Sequence, residues 1–120
     1  ATLRRAEEDL AEAQYEDHRA REDLHDAKTA LRLVQLDNAR LNGRILAAED
    51  EVARSPVPKT REVARLEDVT LPALRERKLA SDGQLAAART AHDDAIRQNR
   101  DAVSRLKLCE EAVVAAMQAG

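Results

Sequence analysis

The stretch from Leu3 to Val52, LRRAEEDLAEAQYEDHRAREDLHDAKTALRLVQLDNARLNGRILAAEDEV, decides the fold. Two interleaved sets of positions run through it on an unbroken 3-4 spacing. One reads Leu3, Leu10, Asp17, Leu24, Leu31, Asn38, Ile45, Val52; the other reads Ala6, Ala13, Ala20, Ala27, Val34, Leu41, Ala48. A 3-4 repeat held in phase over seven heptads predicts a long coiled-coil helix. Large residues dominate one set and alanine the other, so the partner surface is expected to be narrow and closely approached.

Composition supports this reading. The chain has 120 residues, no Trp, no Phe and one Tyr, so the aromatic side chains that dominate compact cores are absent. Charged residues make up 36% of it, the profile of amphipathic helices with a thin apolar stripe. A length of this order predicts a single domain, residues 1–120. No run approaches 18 apolar residues and no secretory signal is visible, which predicts a cytoplasmic protein without a membrane span. The single cysteine, Cys109, excludes an intrachain disulfide and fits a reducing compartment.

The formal net charge of -3 disfavours nucleic acid as a partner. Its distribution is uneven, because residues 1–28 are acidic in balance and residues 89–107 basic. Opposite signs on two segments of one chain favour their pairing.

Helix 1 is predicted from about residue 3 to 54, with Thr2 as its N-cap and Glu7, Glu8 and Asp9 near the positive end of the dipole. Gly43 lies inside it without disturbing the heptad phase. Ser55-Pro56-Val57-Pro58 is the strong double breaker, since proline lacks an amide donor and restricts the residue before it. The corner is placed at 55–59, followed by helix 2 over about 60–118, capped by Thr60. Pro72 predicts a kink or restart in helix 2. Ser81-Asp82-Gly83-Gln84 predicts a second interruption near Gly83.

From Leu71 onward the same design returns. Its larger set is Leu71, Lys78, Leu85, His92, Asn99, Leu106, Val113, and its smaller set Leu74, Ser81, Ala88, Ala95, Ala102, Cys109, Ala116. A fold-back at Pro56 pairs residues whose numbers add to about 112, setting Leu10 against Ala102 and Leu24 against Ala88. A register displaced by about one turn, adding to about 116, is the alternative. The expected fold is therefore all-α, a long antiparallel coiled-coil helical hairpin that assembles further into a helical bundle. A three-helix bundle broken at Pro56 and near Gly83 is the competing architecture.

Asp17, Asn38, Lys78, His92 and Asn99 fall on seam positions, where polar groups cost stability but fix register and oligomeric state. His18, Glu22 and His25 share one helical face, and Glu22-x-x-His25 matches an element of di-iron bundles. They lie on outer heptad positions, whereas such ligands project inward, so they are weak metal candidates and no cofactor is expected. Arg54, Lys59 and Arg61 gather at the corner among acidic neighbours, a candidate docking tip. Ile96, Val103, Val114 and Met117 lie outside the main seam of helix 2 and need cover, which predicts contact with a protein partner or with a second copy, most simply as a dimer.

No catalytic constellation accompanies these features. The expected function is that of a non-enzymatic structural or interaction protein, a rigid spacer, adaptor or assembly subunit; a metal-binding helical bundle is the alternative from another class. In architecture, and not through any motif, the predicted hairpin is similar to the central stalk of type III secretion and flagellar ATPases, the tRNA-binding arm of seryl-tRNA synthetases and the receptor-binding hairpins of colicins. The first of these resemblances implies a stalk that inserts into a ring.

Overall fold

Thr2 opens the first helix as its sequence predicts: the Arg5 amide donates to Thr2 Oγ1 at 3.2 Å, filling one of the donors a helix start leaves unpaired. The helix that follows, α1, spans Leu3–Arg54 in the computed structural model, which describes residues 2–120. Its first turn carries Arg4 and Arg5 and no acid. The acids one turn on answer these cations instead, Glu8 lying 3.4 Å from Arg4 and Asp9 3.6 Å from Arg5. Gly43 passes without a break, and Arg54 ends α1 with a cation at the negative end of its dipole.

Ser55–Thr60 forms the corner. Thr60 then accepts from the Val63 amide at 3.2 Å and starts the short helix α2, Arg61–Arg65. Leu66–Thr70 forms a wide π-type turn leading into α3, Leu71–Ala119. Pro72 explains the widening. Its ring would collide with the carbonyl four residues back and it has no N–H to offer there. The chain loosens by one residue just before it, so that the Leu71 amide donates to the Leu66 carbonyl, five residues back. The expected second interruption does not occur, because α3 runs through Gly83 unbroken. Ser81 is buried at the small-set seam position the 3-4 repeat assigns to it.

The result is an all-α helical hairpin. Every seam position of both helices, Leu3 apart, is buried or half-buried. The chain divides into two compact units, one of residues up to Thr29 with Thr90–Gly120, the other of Ala30–Arg89.

The Ala30–Arg89 unit holds the main apolar core. Leu41, Ile45, Ala48, Leu71 and Leu74 form a buried cluster, with Val52 and Leu66 packed against it. Its polar seam residues are satisfied. The Asn38 amide donates to Ser81 Oγ at 3.1 Å and to Asp82 Oδ1 at 2.8 Å, and Lys78 Nζ reaches the same Asp82 oxygen at 2.7 Å. The other unit is thinner. Its buried apolar residues are Ala6, Ala13, Ala20 and Ala95, lined by half-buried Leu10, Leu24, Leu106 and Val113.

The register corrects the expectation. Asn38 meets Ser81, so paired numbers add to 119, displaced by one heptad from the 112 read from the sequence and also distinct from 116. A whole-heptad shift keeps large residues opposite small ones, so the apolar alternation fits either register equally. Polar matching separates them. In the 112 register Asn38 would face Leu74 and Lys78 would face Val34, leaving buried polar groups against aliphatic ones, which costs about 1–3 kcal/mol for each unpaired group. The centre of the fold-back accordingly lies between Lys59 and Thr60.

Candidate functional site

The seam polar residues separate into two groups. Asn38 and Lys78 share Asp82, whose carboxylate lies below its ordinary pKa of 3.8 because Lys78, and after it Asn38, donate to it. A depressed carboxylate pKa contributes stability above its unfolded value and loses that contribution as pH falls through the folded value. The wild-type chain should therefore lose stability below the ordinary aspartate value of 3.8, and Asp82→Asn should flatten that acid-side slope, as read from urea midpoints across the pH series. A slope unchanged by the substitution would remove Asp82 as its source. The heptad pattern does not mark Asp82 as a partner of the seam; the signal in the sequence is its i, i+4 spacing from Lys78.

Asp17, His92 and Asn99 belong to the thinner unit. One oxygen of Asp17 is 2.9 Å from Arg21, while Asp17 Oδ1, His92 Nε2 and Asn99 Oδ1 are enclosed with no hydrogen-bond partner. Unpaired buried polar atoms weaken a seam directly.

Beside that seam lies an open groove of about 390 Å³, floored by Ala20 and Ala102 and walled by charged and polar side chains, among them Glu16, Asp23, Gln98 and Arg105. Arg105 pairs with Glu16 and lies 3.8 Å from Glu12, so the acidic start of α1 and the basic stretch of α3 do meet. Glu16, first as hydrogen-bond acceptor and then through its charge, raises the Arg105 guanidinium above its ordinary pKa. Within the same basic stretch Arg97 differs from Arg105, pairing with Asp94 on its own helix.

His18 Nε2 sits 2.8 Å from Glu22, with both side chains largely exposed. Among the described residues no group of three His, Cys, Asp or Glu is placed to hold a metal ion. Cys109 is half-buried at its small-set seam position. At the corner Arg54 pairs with Asp50 at 3.0 Å and Lys59 with Glu67, which leaves mixed charge there and no basic patch.

The exposed apolar residues draw the clearest surface. On α3, Ile96 is half-buried, while Val103, Val114 and Met117 are 46%, 53% and 63% exposed. At 100° per residue these four fall within one face of the helix, together with Arg100, Lys107 and Glu110. Leu108, also exposed, lies off this face, about 120° round the helix from Ile96, an addition to the apolar positions expected from the sequence. Leu33, Leu36, Leu46 and Leu79 are exposed in the other unit, scattered over different faces. No helix among the described residues is long and apolar enough to cross a membrane. Comparison with protein-family models, with curated proteins and with solved structures gives no match to this chain.

Proposed function

We propose that this chain is a non-enzymatic interaction protein, a stiff helical hairpin with a coiled-coil seam that serves as adaptor or spacer and binds protein along one face of α3. One observation carries the reading. Val103, Val114 and Met117 are exposed together on a single helical face, while the positions the 3-4 repeat assigns to the seam are covered. Exposed apolar residues gathered on one face, here with Lys107 and Glu110 among them, are a mark of a protein-binding surface. The groove on the other flank of the seam offers alanine and paired charges, with Arg105 held by Glu16, and no acid–base pair poised on a nucleophile.

Chemical cross-linking of the wild-type chain, followed by capture of the adducts, tests this. Val103→Glu with Met117→Glu places two charges on the stripe without touching the seam. The double variant should lower adduct yield by about tenfold, the equivalent of 1.4 kcal/mol. Charge reversal at Lys59 and Arg61 should leave yield unchanged. Equal adduct yield from the stripe variant and the wild type would overturn the assignment of this face.

A further inference from the structure

We propose that the occupant of the α3 stripe is a second copy of this chain, with two α3 helices antiparallel about a two-fold axis level with Arg105. The inference rests on reading the stripe as a protein-binding face and goes further by naming what binds.

The argument is self-complementarity. A two-fold contact requires one surface to match itself when reversed end for end. The stripe runs Ile96, Arg100, Val103, Lys107, Glu110, Val114, Met117, with its cations before its acid. Reversed about Arg105, residues whose numbers add to 210 face one another. Ile96 of one copy then meets the partner copy's Val114, and Arg100 meets Glu110. Val103 lies beside the aliphatic stem of Lys107, with the two Val103 side chains one turn apart across the axis. Ile96 with Val114 and Arg100 with Glu110 are matched pairs, each formed twice by symmetry, while Met117 at either end of the contact lies level with Asp93 of the other copy. An unrelated partner would have no reason to find this order mirrored in the stripe itself.

Neighbouring surfaces agree with the placement. The opposite flank of the same seam is closed by Arg105 with Glu16 and Glu12, so the apolar flank is the one left open. From Ile96 to Met117 the stripe is roughly 33 Å long at 1.5 Å per residue. Two helices packed along that length bury on the order of 1,000 Å², about the lower size for a specific interface.

Sedimentation equilibrium on the 13.3 kDa chain decides the matter, with circular dichroism confirming that each variant stays helical. The wild type should weigh twice the chain mass. Val103→Glu with Met117→Glu should raise the dimer dissociation constant by about a hundredfold or more. Arg100→Glu alone and Glu110→Arg alone should each weaken the dimer about tenfold, since each breaks two symmetric pairs and opposes like charges. The double variant Arg100→Glu/Glu110→Arg should recover wild-type affinity to within about threefold. A monomeric wild type overturns self-association; if its stripe variants still lose cross-linked adducts, the interaction reading survives with another partner. A dimer indifferent to Val103→Glu/Met117→Glu places the contact elsewhere and overturns the proposal. Failure of the double charge swap to restore affinity overturns the two-fold register.

Discussion

Leucine at Asp17, His92 and Asn99 together should raise the thermal midpoint of the chain by roughly 10 °C or more, measured at fixed protein concentration. Each of these residues encloses a polar atom without a partner. Removing an unpaired buried donor or acceptor recovers about 1–3 kcal/mol of desolvation, and an apolar side chain in its place adds its own transfer energy. In the 119 register Asp17 faces Ala102, His92 faces Ala27 and Asn99 faces Ala20, so each leucine meets an alanine, as the large-small alternation requires. The triple substitution breaks the ion pair of Asp17 with Arg21, whose side chain is 67% exposed, and a pair open to water on one side contributes little. A combined gain on the order of 4 kcal/mol follows. A midpoint that stays level or falls would show that these three groups are hydrogen-bonded in solution. The register itself should survive the change, because Asn38 with Ser81 and Asp82 holds it in the Ala30–Arg89 unit.

That distribution of polar pairs shows what the sequence carries and where it stops. The 3-4 repeat marks which face of each helix is covered, and the capping residues Thr2 and Thr60 mark where helices begin. Both follow from rules local in the chain, and both match the structure. Register is not local. Leucine and alanine alternate with the same seven-residue period on both helices, so sliding one helix by a heptad leaves the apolar match intact. Only the rarer polar residues distinguish the two registers, and their pairing depends on the path length through the corner. Pro72 announces a disturbance, yet whether it kinks, restarts or widens the helix depends on the surrounding packing. Gly83 shows the opposite case, since a small residue on the outer face of a packed helix costs about 1 kcal/mol of propensity without breaking it. The proposed binding face is legible as unpaired apolar positions at helical spacing. Its mate is less so, because charge order along a stripe acquires meaning only after the face and its open flank are known.

Leu74→Ala should be among the most damaging single substitutions in the chain, lowering unfolding free energy by about 2–5 kcal/mol in urea titration. Leu74 is 4% exposed and sits in the cluster with Leu41, Ile45, Ala48 and Leu71. In a hairpin whose other seam layers are largely alanine, this cluster concentrates the bulky aliphatic packing. Truncation leaves a void that two rod-like helices fill only by moving their axes together, and the neighbouring Leu71 and Ile45 oppose such movement. Against a total stability of order 5–15 kcal/mol, the loss is a large fraction. Leu79→Ala supplies the contrast on the same helix. Its side chain is 73% exposed, so the effect should stay within about 0.5 kcal/mol. Comparable losses at Leu74 and Leu79 would mean that the buried face of α3 lies elsewhere than the 3-4 repeat places it. The expected inequality instead ties the stability of the hairpin to the seam and leaves its outer apolar residues available for binding.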